Sequence, residues 1–275
     1  MPIISLIINV DTRRGIEQNE SAQNSMLEGT RSFDFLYEGV INKINFFRGY
    51  DMEIILFVDR HLNVPLQLLE KWQEEFAIPF TFCISSHKTY FGEHDYYPKW
   101  NDLNFLQALF LARGKWIAHF DGDMNAFRED DCKIIDEIIE LLNKYDYISY
   151  PSPWSPAPIF NDGKWDYWWA STRFFFCKRE TLDFTEIMKC LQNSEYLYGK
   201  YPTNSPKCPW LEHILGMIAG PGKVYYLPMS EEYLIFSWNK YKVGTLKMLN
   251  ENNYDFVNNF VGQKGGISYP CDIAC

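Results

Sequence analysis

The residues best suited to chemistry are two carboxylates, Asp121 and Asp123, separated by one glycine and preceded by the apolar run Trp116 to Phe120 (WIAHF). In an extended chain, side chains two apart point to one side, so the pair would present its oxygens together. Gly122 between them would let a ligand approach the backbone closely. Paired hard oxygen donors suit Mg2+ or Mn2+, ions that also hold phosphate oxygens. Such an ion would neutralise charge on a departing diphosphate, a Lewis-acid assistance to leaving-group departure. The bland alternative is a strand-end turn, where Asp and Gly are common. Position separates the two readings, so the elements around the triplet decide.

Pro2 to Val10 (PIISLIINV) reads as a buried strand, followed by the polar loop Asp11-Thr12-Arg13-Arg14-Gly15 and a long polar stretch from Glu17 to Ser32. Phe33, Tyr37, Val40, Ile44 and Phe47 recur at helical spacing, with Gly49 suited to the end. Glu53 to Val58 is a second strand, ending at Asp59. Pro65 then opens a helix with Leu66, Leu69, Trp72 and Phe76 on one face. Pro79 to Ile84 is a third strand. Leu103, Leu106 and Phe110 mark a helix stopped at Gly114, and Trp116 to Phe120 is the fourth strand. A helix is expected next, with Glu129, Asp130 and Asp131 at its positive end and Ile135, Ile138 and Leu142 as its buried stripe. Tyr147 to Tyr150 is a fifth strand.

Strand and helix thus alternate over the first 150 residues or so, which predicts an α/β fold with a mostly parallel sheet and right-handed crossovers. Ligands of such sheets bind beyond the carboxyl ends of the strands. Asp11, Asp59, Ser85/Ser86 and Asp121 lie at four such ends and should face one crevice. Beyond Pro151 the character changes. Four prolines fall between Pro151 and Pro158, Trp154, Trp165, Trp168 and Trp169 crowd the next stretch, and strands at Arg173–Cys177 and Val224–Leu227 flank a short helix at Trp210–Ile218.

Composition narrows the function classes. The chain has 275 residues, 47% of them apolar and 17% aromatic, enough to bury a large core. A formal net charge of -10 with no Lys/Arg block argues against nucleic acid as partner and against charge-driven membrane binding. No apolar run is long enough for a transmembrane helix. The seven cysteines are scattered without a Cys-x-x-Cys pair, which reads as reduced thiols in a cytoplasmic protein. Cys271 and Cys275 read as part of a loose tail. Oligomeric state leaves no trace.

Ala112-Arg113-Gly114-Lys115-Trp116-Ile117-Ala118-His119-Phe120-Asp121-Gly122-Asp123 resembles the A-x-G-x-x-I-x-x-x-D-x-D segment of GT-A glycosyltransferases, especially the family 2 type. The opening strand with its polar loop and the strand ending in Asp59 follow that family's order. The resemblance covers roughly the first 125 residues and is thin beyond Pro151. It implies a single GT-A domain over 1–275, with a nucleotide-sugar half (1–125) and an aromatic-rich acceptor half (146–275). It implies transfer of a sugar, of the hexosyl type, from a nucleotide-diphosphate donor to a glycan or other hydroxyl acceptor, with UDP the commonest carrier. Asp59 would bond the base or ribose. Asp11 and Thr12, with Arg13 or Arg14, would line the base pocket. Asn101 or Asp102 would touch the sugar nucleotide. Asp121 would contact ribose, sugar or metal, and Asp123 would hold Mn2+ or Mg2+ and through it the diphosphate. The family's Asp-Asp-Gly-Ser run after the second strand is replaced by Asp59-Arg60-His61.

An inverting transferase also needs a general base near the acceptor hydroxyl. The family takes it from a carboxylate at a helix start in the second half. Glu212, in Trp210-Leu211-Glu212-His213, is the best local match, with Asp166 the second candidate; a solvated first-turn Glu is the bland reading. No histidine follows His213, so the metal would lean on Asp123, phosphates and water. Trp168 or Trp169 would stack on an acceptor sugar or pack in the core. Lys240 and Lys242 would close over the diphosphate or lie solvated at the surface. Two alternatives stay open: a catalytically inactive carbohydrate- or nucleotide-binding module, and a sugar-1-phosphate nucleotidyltransferase. The second lacks its N-terminal Gly-rich loop, because no glycine precedes Arg14. A metal-dependent phosphoesterase would want a denser cluster than five scattered histidines supply.

Overall fold

A computed structural model describes residues 3–10, 33–58, 66–84, 105–121, 124–149, 159–161, 164–167, 174–201, 211–220, 222–227, 233–237, 247, 250 and 251. The strands are β1 (Ile4–Val10), β2 (Met52–Val58), β3 (Phe80–Ile84), β4 (Trp116–Phe120), β5 (Met124–Arg128), β6 (Tyr147–Ser149), β7 (Ile159–Asn161), β8 (Lys164–Tyr167), β9 (Phe174–Lys178), β10 (Val224–Tyr226) and β11 (Tyr233–Ser237). The helices are α1 (Phe33–Phe46), α2 (Leu66–Phe76), α3 (105–111), α4 (Ile134–Leu141), α5 (Phe184–Gln192), α6 (Ser194–Lys200) and α7 (Leu211–Ala219).

Seven strands form one sheet in the order β10-β6-β9-β4-β1-β2-β3. The run β4-β1-β2-β3 is parallel throughout, and β10 is parallel to β6. Only β9 runs against its neighbours, pairing antiparallel with both β4 and β6. The sheet is therefore mixed but mostly parallel, in an α/β fold. Helices cover both faces, so the central strands read as near-continuous apolar runs. On one face Ile4, Leu6, Ile8, Ile54, Leu56, Ala118 and Phe120 pack against Val40 and Phe46 of α1, Phe47 just after it, Trp72 of α2 and Ile134, Ile135 and Ile138 of α4. On the other, Ile7, Ile55, Phe57, Ile117 and Phe175 meet Phe105 and Leu109 of α3, Ile187 of α5, Leu197 of α6 and Ile214 and Leu215 of α7.

The entry to β4 carries a polar knot in this apolar setting. Buried Glu53 accepts through Oε1 from Ser5 Oγ (2.6 Å) and from the Arg113 backbone N–H (2.7 Å). Its Oε2 accepts from Arg113 Nε at 2.8 Å and faces Arg113 Nη2 at 2.7 Å. Ser5 Oγ in turn accepts from the Gly114 N–H at 2.7 Å. Gly114 lies so close to β1 that a Cβ there would stand 2.5 Å from Ser5 N and 2.8 Å from Ile4 C. The glycine of the A-x-G segment is thus a packing requirement between β1 and β4.

Several expectations need correction. The stretch after Asp123 is the buried strand β5, not the start of a helix. Glu129, Asp130 and Asp131 therefore sit in a turn, and α4 begins at Ile134 with Asp136 and Glu137 in its first turn. Phe110 is 64% exposed, because Phe105, Leu106, Ala108 and Leu109 form the buried stripe of α3 at helical spacing and turn position 110 outward. It rests edge-on against Phe184, ring centroids 5.5 Å apart. The hairpin β7–β8, helices α5 and α6 and strand β11 were not expected. Four cysteines, Cys83, Cys132, Cys177 and Cys190, are free and buried; Cys208, Cys271 and Cys275 lie outside the described residues. Among the described residues no helix is long and apolar enough to cross a membrane.

Candidate functional site

The parallel registers bring four strand ends to one edge. Val10 pairs with Val58, Val58 with Ile84, and Ile8 with Phe120, so β1, β2, β3 and β4 finish nearly level. The residues that come next in sequence include Asp11, Asp59 and Asp121. This is the edge of an α/β sheet where ligands bind.

Asp121 is the described member of that set. Its backbone carbonyl accepts from the Met124 N–H at 3.0 Å, which turns the chain out of the central sheet and into β5. Its side chain is 30% exposed, reachable from solvent yet held. One partner is His119, two residues back on β4 and 1% exposed. His119 Nδ1 lies 3.0 Å from the Ile7 carbonyl, and Nε2 lies 3.2 Å from Asp121 Oδ1. A carbonyl only accepts, so the ring donates to Ile7 in the tautomer protonated at Nδ1 and to Asp121 in the one protonated at Nε2. Phe105 and Phe57 pack against the imidazole, with ring centroids 4.2 and 5.6 Å away.

The chain beyond Asp123 is clamped from two directions. Asn42 of α1 accepts from the Ala126 N–H at 2.8 Å. The Arg128 guanidinium donates to the carbonyls of Phe46 (2.6 Å), Arg48 (2.6 Å) and Cys132 (3.2 Å), which ties β5 to the end of α1. On its other side β5 pairs antiparallel with β11, setting Met124 opposite Ser237. The sequence leading to Lys240 and Lys242 therefore departs from a position directly across from the residue after Asp123. Behind the strand end, buried Lys43 donates to the Gly39 carbonyl at 3.2 Å and lies 6.0 Å from the Phe120 ring centroid.

The remaining candidates divide. Glu212 occupies the first turn of α7, partly exposed, on a helix whose Leu211, Ile214 and Leu215 pack into the same cluster as Ile7, Phe57 and Phe105 around His119. Glu212 and Asp121 are thus carried on one side of the sheet. Asp166 falls in β8, part of the separate two-stranded sheet β7–β8. Asp11, Thr12, Arg13, Asp59, Asn101, Asp102, Asp123, Trp168, Trp169, Lys240 and Lys242 lie outside the described residues. No group of three or more His, Cys, Asp or Glu side chains that could hold a metal occurs among the described residues. A partly exposed carboxylate at a strand end still fits Mg2+ or Mn2+. These ions keep water and substrate phosphates in their shell and take only one or two carboxylates from the protein.

Two groups carry roles that sequence reasoning missed. His119 stood in plain view as the polar residue of WIAHF, at the i−2 position that shares a side with Asp121. The Ser5–Glu53–Arg113 knot was signalled by a polar residue inside each of two apolar strands. Burial pushes the Glu53 carboxyl up, but the hydrogen bonds from Ser5 and Arg113 outweigh it and hold the group below the usual carboxylate range.

The sequence matches no family model and no curated protein. Among solved structures the chain is similar to the mannosyltransferase PcManGT from Pyrobaculum calidifontis in complex with GDP-Man and Mn2+, at 12% identity over 82% of this chain and 55% of that one, with a TM-score of 0.45. It is similar to the galactosyltransferase LgtC in complex with donor and acceptor sugar analogs, at 8% identity over 81% of this chain and 72% of that one, TM-score 0.47. A Bacillus anthracis protein described as a candidate glucose-1-phosphate thymidylyltransferase, in complex with a sucrose, shares 11% identity over 92% of this chain and 96% of its own, TM-score 0.46. The chain spans about half the length of PcManGT. These likenesses are of architecture, and the two activities they span do not choose between themselves.

Proposed function

We propose that this chain is a glycosyltransferase that moves a sugar from a nucleotide-diphosphate donor, UDP-linked by preference, to an acceptor hydroxyl. The observation that supports it is the level carboxyl edge of β4-β1-β2-β3 with the Asp121 carboxylate held there. A nucleotide laid along that edge would meet Asp11 and the residues after it at the base and Asp59 at the ribose. Asn101 or Asp102 and Asp121 would meet the sugar side. Asp121 and Asp123 would hold a divalent cation, whose chemistry when bound is to neutralise the diphosphate as it leaves. Lys240 and Lys242, following the strand that pairs beside Met124, would add positive charge to the same group. Glu212, on the same side of the sheet as Asp121, would take the proton from the acceptor hydroxyl at its carboxylate, with Asp166 the second candidate for that role, as the inverting course implied by the resemblance requires. The halves 1–125 and 146–275 would serve donor and acceptor within one domain. The free, buried cysteines agree with residence in a reducing compartment such as the cytoplasm.

The test is calorimetric titration of UDP, GDP, CMP and dTDP, with and without Mn2+, into wild type and Asp123→Asn. Binding of one diphosphate that requires Mn2+ and disappears in the variant supports the reading and names the base. Absence of binding by every nucleotide, in protein shown to be folded, refutes it in favour of a plain carbohydrate-binding module.

A further inference from the structure

His119 is a costly choice for its position. All five residues of β4 are buried, and the imidazole packs against Phe57 and Phe105, where a Phe or Leu would pack without the penalty of burying polar nitrogens. Burial of such a ring is tolerated when its nitrogens have polar partners. One reaches back to the Ile7 carbonyl of the neighbouring strand, and the other reaches forward to Asp121 Oδ1. The first contact fixes the ring plane against β1. The second transmits that fixed plane to a carboxylate at the solvent edge. A side chain free to turn about two torsions would lose rotamer entropy on binding a ligand, and a tether to a buried ring removes that cost in advance.

We propose that His119 is a positioning residue: it holds the Asp121 carboxylate in one orientation for the cation–diphosphate site. The inference rests on the reading of Asp121 as part of that site. His119 touches neither metal nor donor and acts through Asp121, as outer-sphere partners of metal ligands do. The geometry also discriminates among replacements. A Gln amide at position 119 reaches about as far as imidazole Nε2 and can restore the bond to Asp121. An Asn amide reaches only as far as Nδ1 and can keep the bond to Ile7 but not the tether.

Two measurements test this. The first needs no ligand. In a long-range 1H–15N spectrum of the imidazoles, the signals lost in His119→Gln identify His119 among the five histidines. In Asp121→Asn, which leaves the buried ring in place, the His119 Nε2 resonance should move while the other four stay. An unchanged His119 signal overturns the proposal. The second measures Mn2+ affinity by the EPR signal of the free ion, in the presence of the nucleotide diphosphate that wild type binds. His119→Asn should weaken Mn2+ by about tenfold or more, and His119→Gln should recover most of the loss although both truncate the same buried ring. Equal affinity in wild type, Asn and Gln proteins overturns the proposal. Failure of wild type itself to bind Mn2+ with any nucleotide refutes the transferase reading instead, and the ligand-free spectrum still decides the tether.

Discussion

Replacing Gly114 by alanine should damage this protein far more than one methyl group suggests. The added Cβ would stand 2.5 Å from Ser5 N, 2.8 Å from Ile4 C and 2.8 Å from Ser5 Oγ. Two of those three atoms are main chain of β1, which cannot rotate away as a side-chain tip can. Non-bonded heavy atoms rest near ~3.5 Å, so β1 and the entry to β4 would have to part by about 1 Å. That movement stretches the Gly114 N–H bond to Ser5 Oγ, now 2.7 Å, and the Trp116 N–H bond to the Ile3 carbonyl, now 3.0 Å, beyond useful range. Overpacking of this kind costs ~1–3 kcal/mol and each weakened buried hydrogen bond about 1 kcal/mol, giving a total of about 3–5 kcal/mol. Gly199 supplies the opposite case: it is helical, in α6, and an added Cβ meets nothing within 4 Å. Gly199→Ala should stabilise by roughly 0.5–1 kcal/mol through helix propensity. Urea unfolding followed by tryptophan fluorescence reads both changes as midpoint shifts at constant slope. A cost below about 1 kcal/mol for Gly114→Ala, the size of an ordinary substitution, would refute the argument that this glycine is required by strand contact.

Acid sensitivity should be traceable to Glu53. Its carboxyl is held below the usual range in the folded state, so its contribution is complete above the unfolded value and disappears as pH falls through the folded one. Urea midpoints between pH 3 and 7 should therefore decline less steeply in Glu53→Gln than in wild type, from a lower starting stability at pH 7; parallel profiles would contradict this. The cysteines should divide by burial: burial lifts the Cys83 thiol to about 11, and burial with the Glu186 carboxylate lifts Cys190 to about 11. With Cys132 and Cys177 also buried, at most three of the seven cysteines should react rapidly with a thiol reagent at neutral pH in folded protein, and all seven after denaturation. Rapid reaction of more than three would contradict the packing.

The first half of the chain was legible because its central strands are doubly covered. A strand buried on both faces leaves a near-continuous apolar run, as β1, β2 and β4 do, while the edge strand β3 is half-buried. The segment after Asp123 was not legible. MNAFR alternates in a way that fits a strand, but its sheet partner, YLIFS, lies more than a hundred residues away in sequence, and no local signal joins them. The acids at 129–131 looked like a helix start by charge alone, whereas the apolar stripe that fixes α4 begins only at Ile134. Helices α5 and α6 did carry local signals that went unread. Asp183 accepts from the Glu186 N–H at 3.0 Å, and Asn193 from the Tyr196 N–H at 2.9 Å, each three residues into the sequence it caps. For the site, the position of Asp121 followed from pattern, but its partner did not: a histidine in an apolar strand has no sequence signature that tells a tether from a filler.

The polar knot and the candidate site belong to one problem, although they lie at opposite edges of the sheet. Parallel strands are not joined by a hairpin, so nothing in the local chain sets the register of β4 against β1; their contact at Gly114 and Ser5 spans 109 residues. Apolar packing alone would tolerate a slip poorly but would not forbid it, since both faces of these strands are apolar. A slip of one residue would carry His119 and Asp121 together to the opposite face and break the His119 contact with the Ile7 carbonyl. Ser5, Glu53 and Arg113 admit no such slip, because each bond is between named atoms on three segments and a shifted register would bury the Glu53 carboxylate unpaired. From Gly114 to Asp121 is seven residues, about 23 Å of extended chain. Over that distance a stiff, doubly covered strand carries the alignment fixed at its start to the carboxylate at its end. The polar residues inside otherwise apolar strands are therefore where the sequence specifies which way the chemistry faces.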